Sequence, residues 1–467
     1  MHSLISTART ETFKSVLDRH GGVGPGFDLL RIGLAIAIFY GHAKWIAGSS
    51  TGWVQMQDLM QQGVALQDAH TATFDSSFKG SFKRAYHLAL VPMFFALSGF
   101  LVSGSAFRTR EIRSFLAFRA LRIFPALSVE VTLSALILGP IFTTLPLGSY
   151  FSDPQFFRYF GNIFGFVRML LPGVFETNYH VTPAVNANLW TLPGEFYSYL
   201  ITSALIVTGL FFRRIRFTFL IAILTLVALL TQTAWGFGET RGSIYSTPVV
   251  VYYFMIGCLF YHWRDRIPFS WPLFIAATAV SAIALAFPRG VFIAPVFLTY
   301  ATLFVGISNW PRIPLLQSGD YSYGIYLYGF PISQALIAAV PALRGHENWF
   351  ALAAFLLTLG FAVISWIKIE KPTLKLKRLV SSEPRDRGPQ SEWIAKAISI
   401  FDRPLRRHPI DFEIWHKCSP IFPRRTTDDR WTGPTGQIWR RLHKGQWQYR
   451  QDPETDAEWE ERNTSGF

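Results

Sequence analysis

The sequence predicts an all-α, polytopic transmembrane helix bundle of about ten spans, followed by a small C-terminal cytosolic extension. Three observations carry this prediction. Of 467 residues, 50% are apolar and only 16% charged, where about a quarter charged is usual for a soluble domain. The apolar residues fall in long unbroken runs rather than amphipathic stripes, and a run of roughly 18 or more can cross about 30 Å of hydrocarbon. The basic residues gather between the runs on alternate sides, as cytoplasmic loops require.

In chain order the runs are Phe27–Ile46, His87–Ala106, Ala117–Leu138, Leu189–Phe212, Phe217–Trp235, Thr247–Trp263, Trp271–Phe287, Val291–Ser308, Tyr323–Val340 and Trp349–Ile369. Residues 1–26 are mostly polar and form a cytosolic N-terminal segment without the look of a cleaved signal peptide. Residues 27–378 form the transmembrane domain. Arg108, Arg110, Arg113, Arg213, Arg214, Arg216, Arg264 and Arg266 fall in loops that place both termini in the cytosol, so the number of spans is even.

The formal charge of +14 raises nucleic acid as a partner, but its distribution argues against that. Residues 1–380 hold 29 Lys and Arg against 16 Asp and Glu, while 381–467 hold 15 against 14. The excess thus belongs to membrane orientation. Cys258 and Cys418 lie in a predicted span and in the tail, too isolated for a disulfide or a metal site.

Two outer segments are long. Ala47–Tyr86 is polar, and Gly139–Asn188 carries Pro, Gly and aromatic residues. Within the latter, Ile163–Leu171 is too short to span and reads as re-entrant or interfacial. Loops of this size are usually functional or disordered. Residues 379–467 change character abruptly and hold six tryptophans, too many aromatics for a simple disordered tail. They carry no motif of known chemistry.

Ionisable groups inside spans are costly and mark functional sites. The first run, FDLLRIGLAIAIFYGHAKW, contains Asp28, Arg31 and His42. His42 follows Arg31 by eleven positions, about three helical turns, so both project from one face about 16 Å apart. A snorkelling guanidinium and an interfacial imidazole explain the pair equally well. Asp28 lies one turn before Arg31 and can pair with it. Histidine suits proton transfer near neutral pH, as a general base or as a covalent acyl carrier.

Arg119 and Arg122 in FRALRIFPAL are neighbours on one helix, and guanidinium forks suit phosphate; ordinary positive-inside anchoring is the alternative. Glu130 lies further along the same run. Ser98 and Gly99 in VPMFFALSGFLVSGS allow close helix approach, with ligand-facing backbone at Gly99 as the second reading. Glu195 follows Pro193-Gly194, a pair that can open a helix at membrane depth. It can orient a base, bind a sugar hydroxyl or pair with an arginine.

Taken in order, these segments resemble the acyltransferase-3 family of membrane O-acyltransferases over about residues 27–378. FDLLRIGLAIAIFYGH is similar to its opening arginine, ten residues, then histidine. VPMFFALSGFLVSG, FRALRIFPAL, NANLWTLPGEFYSYL, DYSYGIYLYGFP and WIKIEKP resemble later blocks. The resemblance implies transfer of an acyl group, usually acetyl, from cytosolic acyl-CoA to a hydroxyl of an envelope glycan at the inner (plasma) membrane. Acyl-CoA would be a co-substrate, with no permanently bound cofactor, no metal and no nucleic acid.

On the same implication His42 is the catalytic histidine, Arg31 its companion, and Arg119 and Arg122 lie near the donor. Ser98, Gly99 and Phe100 shape the passage, and Glu195 belongs to the site. The extension becomes a candidate surface for envelope-biosynthesis partners. One departure stands out, because many members carry a histidine where Gly329 stands here. A transporter or exporter of a glycan or lipid intermediate is the rival reading, since it too needs intramembrane charge.

Overall fold

Each apolar run becomes a helix because an unbranched backbone in hydrocarbon must satisfy its own hydrogen bonds. The computed structural model describes residues 11–48, 78–109, 111–176, 178, 183–235, 246–286, 293–310 and 319–377, together with four short strands in the tail. Most of the outer segment Ala47–Tyr86, as well as Arg110 and Cys418, lies outside the described residues.

The first helix, α1 (Phe13–Arg19), precedes the membrane runs. Thr12 caps it by accepting from the Ser15 amide at 3.2 Å, and Phe13, Val16 and Leu17 are buried. The N-terminal segment is therefore not simply polar, since its apolar stripe docks on the bundle. The long helices follow as α2 (Phe27–Ala47), α3 (Phe78–Thr109) and α4 (Ile112–Phe142). Then come α5 (Leu192–Val207), α6 (Arg214–Trp235), α7 (Thr247–Trp263), α8 (Trp271–Ala286) and α9 (Ala294–Ile307). The series closes with α10 (Ser322–Ala339) and α11 (Glu347–Lys375).

A helix thus lies within every run the sequence marks, among the described residues. Four of them (α2, α3 from Ala85, α4 and α11) are long and apolar enough to cross a membrane, while α8 and α9 are shorter apolar helices. An open apolar face runs along α6, where Phe219, Ile223, Leu226 and Leu230 are all exposed. Both α4 and α11 contain a π turn, at Ser134–Leu138 and Trp366–Glu370.

Boundaries shift where proline dictates them. Leu189–Thr191 belongs to a 3-10 turn, and α5 begins at Leu192 with Pro193 in its first turn. There a missing N–H costs nothing. Pro193 therefore starts this helix instead of opening it. Pro331 sits inside α10 and deprives the Leu327 carbonyl of its helical partner. Asn186 Nδ2 donates to that carbonyl at 2.9 Å instead. Asn188 Nδ2 donates to Tyr326 O, and Thr191 Oγ1 lies 2.9 Å from the Tyr326 hydroxyl. The Asn-Ala-Asn-Leu-Trp-Thr stretch is a polar clamp on α10.

The segment after α4 forms two short helices, Leu147–Ser152 and Pro154–Tyr159, and a 3-10 turn, Phe160–Phe164. Residues 166–171 are irregular chain, with Phe164 and Phe166 each 71% exposed. Ile163–Leu171 thus contains no membrane-entering helix.

Contacts divide the chain into two units, Met1–Glu383 and Pro384–Phe467. The second contains a four-stranded antiparallel meander, β1 (Arg424–Thr426), β2 (Arg430–Thr432), β3 (Ile438–Arg441) and β4 (Trp447–Tyr449). The all-α expectation therefore holds for the bundle and fails for the tail. Its Trp-, Tyr- and Thr-containing strands suit β structure, but runs of three or four residues leave little periodicity to read.

Candidate active site

Helix α3 crosses α7 with backbone against backbone. A Cβ on Gly99 would stand 2.0 Å from the Phe254 carbonyl oxygen, and one on Gly257 would stand 2.0 Å from that of Ala96. Glycine on both sides is what permits this approach. Gly99 therefore faces α7, while its neighbour Ser98 turns the other way and lines a cavity of about 140 Å³.

The same cavity gathers Arg31 from α2, Arg119 and Arg122 from α4, and Glu195 and Tyr199 from α5. Tyr323 and Tyr326 close it from α10. Five of the eight residues expected at the site thus meet in one place. Gly99, Phe100 and His42 are outside its lining.

The arginines are anchored differently. Arg31 Nη1 donates to Asp320 Oδ2 at 3.1 Å, and Arg122 Nη2 donates to the same oxygen at 2.8 Å. Asp28 stands farther from Arg31, at 3.9 Å. The partner one turn away is thus secondary to one across the bundle. Arg31 and Arg122 keep 22% and 29% of their side-chain surface open, and both line the cavity. Arg119 Nη2 donates to Ser105 Oγ at 3.3 Å, while its Nε is buried without a hydrogen-bond partner among the described residues. Glu195 accepts from the Tyr199 hydroxyl at 2.6 Å.

Asp320 lies in the loop ahead of α10. Burial opposes its charge, but the Arg122 and Arg31 guanidiniums outweigh that and hold its carboxyl below the usual carboxylate range. Lys377, beyond α11, has its ammonium 5.6 Å from the Phe118 ring. Burial and the neighbouring Arg119 and Arg122 push its pKa down. Arg31, Arg119, Arg122 and Lys377 border the site, and Asp28, Glu195, Asp320 and Glu370 stand among them. What suits an anionic ligand is the three guanidinium forks lining the cavity rather than an excess of positive charge.

Farther along α2, the His42 ring meets the edge of Phe330 with centroids 5.4 Å apart. Its Nδ1 is buried and has no hydrogen-bond partner among the described residues. A second histidine, His87 of α3, lies beside the preceding turn; a Cβ on Gly41 would stand 3.3 Å from its Cε1. Gly329 precedes Phe330, and a Cβ there would stand 2.7 Å from Phe39 Cδ2. The side chain of Phe39 fills the place that a larger residue at 329 would need.

Sequence reasoning missed Asp320 and Tyr199 as site residues. Asp320 stood in the quoted DYSYGIYLYGFP block, and an acidic residue at a helix start invites a capping explanation.

The family described as Acyltransferase domain matches residues 25–367. This chain belongs to the acyltransferase-3 family. It is 27% identical over 301 residues to the O-acetyl transferase of Shigella phage Sf6, covering 62% of this chain and 85% of that protein. It is 26% identical over 378 residues to Nodulation protein 10 of Rhizobium leguminosarum bv. viciae, covering 75% of this chain and 93% of the relative. No solved structure matches it. The acyltransferase is a membrane protein whose family region coincides with the helical bundle.

Proposed function

We propose that this acyltransferase moves an acyl group, acetyl by preference, from cytosolic acyl-CoA to a hydroxyl of an envelope glycan. The observation that carries the reading is the convergence of Arg31, Arg119 and Arg122 on one cavity, with His42 farther along the helix that bears Arg31. In this reading all ten runs span the plasma membrane. Both termini and the tail lie in the cytosol, so the arginine-lined end receives the donor.

Guanidiniums hold the donor's phosphates, and the thioester extends along α2 toward His42. The acceptor hydroxyl enters from the outer side. His42, through its unpartnered nitrogen, takes the hydroxyl proton as oxygen attacks the thioester carbonyl. The C–S bond then breaks, and the departing thiolate receives the proton. A variant of this scheme passes the acyl group through the imidazole itself. Helix α2 is stiff, so the two stations keep a separation of about 16 Å.

The test is label transfer from radiolabelled acetyl-CoA to a candidate glycan, using the full chain in liposomes. Loss of a general base costs about 10²–10⁴-fold in rate, so His42→Ala is expected to abolish detectable transfer. Undiminished transfer by that variant overturns the assignment of His42. Glycan movement across the liposome without any label transfer supports the transporter reading instead.

A further inference from the structure

A single carboxylate oxygen serves two arginines from different helices. Asp320 Oδ2 accepts from Arg31 Nη1 at 3.1 Å and from Arg122 Nη2 at 2.8 Å, while Oδ1 accepts from Ser322 Oγ at 2.6 Å. Arg31 comes from α2 and Arg122 from α4, and Asp320 immediately precedes α10. Its loop is itself wedged in place, because a Cβ on Gly319 would stand 2.4 Å from the Trp366 indole nitrogen. That indole belongs to the π turn of α11, so four helices converge on one carboxylate.

The arrangement is more than a neutralising pair. Each guanidinium carries five N–H donors in a rigid fork, and Asp320 engages one nitrogen of each. The other donors remain for a ligand, and both arginines line the cavity. Without the carboxylate, two like charges would stand together with nothing to fix their spacing.

We propose that Asp320 is a positioning residue that joins Arg31 and Arg122 into one rigid pair, pre-oriented for the anionic part of the donor. This rests on reading the cavity as the donor site. The role is one of geometry rather than affinity. Asp320→Asn removes a negative charge beside an anion's site, so donor binding is kept. The arginines lose their register, and the thioester then arrives misplaced.

The experiment compares the full-length wild type with Asp320→Asn, Asp320→Glu and Ser322→Ala in nanodiscs. It measures kcat and KM for acetyl-CoA, and separately the binding of coenzyme A. For Asp320→Asn, kcat is expected to fall about ten- to a hundredfold, with KM and coenzyme A affinity within about twofold of wild type or tighter. Asp320→Glu, which keeps the charge, is expected to recover part of that kcat. Ser322→Ala frees one carboxylate oxygen and is expected to lower kcat about two- to fivefold with KM kept.

Unchanged kcat in Asp320→Asn overturns the inference, as does a rise in KM at constant kcat. A parallel fall of active protein and kcat, unrelieved by Asp320→Glu, marks a structural staple and overturns it too. Where Asp320→Asn yields no folded protein, Ser322→Ala decides: a wild-type kcat refutes positioning. A wild type that neither binds coenzyme A nor uses acetyl-CoA refutes the donor reading itself, and this inference with it. An active wild type with an equally active Asp320→Asn refutes the inference alone.

Discussion

Gly99→Ala isolates the crossing of α3 and α7 from the cavity beside it. The added Cβ would lie 2.0 Å from the Phe254 carbonyl oxygen, 2.9 Å from its carbonyl carbon and 3.2 Å from the Cys258 amide nitrogen. All three are backbone atoms, so no side-chain rotation relieves the contact. A tolerable C···O approach is about 3.3 Å, and the helices must part by roughly 1.3 Å to reach it. A gap of even 0.5–1 Å forfeits about a quarter to a half of each dispersion contact along the seam. The expected loss is about 3 kcal/mol, the upper end of the overpacking range. Gly33 on α2 supplies the control, because a Cβ there meets nothing within 4 Å, and Gly33→Ala should lose no stability.

The assay is unfolding of the full chain in nanodiscs, paired with alkylation of Cys258 in a Cys418→Ser background. Cys258 is fully buried, and its thiol donates to Gly99 O at 3.4 Å, so it is shielded until the seam opens. Gly99→Ala should lower the unfolding midpoint and expose the thiol, and Gly33→Ala should do neither. If Gly99→Ala melts like wild type with Cys258 still shielded but raises donor KM, Gly99 serves a ligand and the packing argument is wrong.

Two further positions test buried and surface carboxyls. Glu130 is 1% exposed; its Oε1 accepts from Ser134 Oγ at 2.9 Å and Asn186 Nδ2 at 3.0 Å, and it makes no ion pair among the described residues. Glu130→Gln keeps that acceptor and should cost less than about 1 kcal/mol, whereas Glu130→Ala should cost about 2–3 kcal/mol by stranding both donors; equal losses in unfolding assays contradict this. Asp265, between α7 and α8, accepts from Arg214 Nη1 at 3.0 Å. Burial opposes its charge, but the bond to Arg214 prevails and lowers its pKa. Its pairing therefore stabilises the fold above the unfolded carboxylate pKa of about 4 and is lost as pH falls through the lower folded value. Asp265→Asn should melt lower than wild type at pH 7, by at most about 1 kcal/mol for so exposed a pair, with the gap closing in acid. A gap that persists unchanged into acid contradicts the assignment.

The bundle was legible because hydrocarbon leaves the backbone little choice, and ten apolar runs read as ten helices. Local chemistry then moved the ends, as where Pro193 starts α5 rather than interrupting it. The site was legible as far as its cost showed. Arg31, Arg119, Arg122 and Glu195 stood out as charges inside apolar runs, and the fold brings them together with Ser98. Asp320 could not be found that way, for it lies 289 residues from Arg31 and 198 from Arg122. Its meaning exists only where α2 and α4 meet the loop before α10. Gly99 was ambiguous for the opposite reason, since small residues serve packing and ligand approach alike. Only the position of Phe254 tells them apart.

Arg31 and His42 owe their shared role in the proposed reaction to being apart. Were they adjacent, the guanidinium would sit beside the imidazole and oppose its protonation at the moment it takes a proton. Three turns of α2 remove the cation by about 16 Å and leave His42 against Phe330 and beside His87, with a ring nitrogen that has no hydrogen-bond partner among the described residues. Holding an anion and moving a proton need opposite surroundings, and one rigid helix supplies both. In the proposed reaction Asp320 completes the separation at the arginine end, because a carboxylate shared by Arg31 and Arg122 keeps the positive field compact where the donor's phosphates would bind. A donor held there can bring its neutral thioester to the histidine while its charges stay behind.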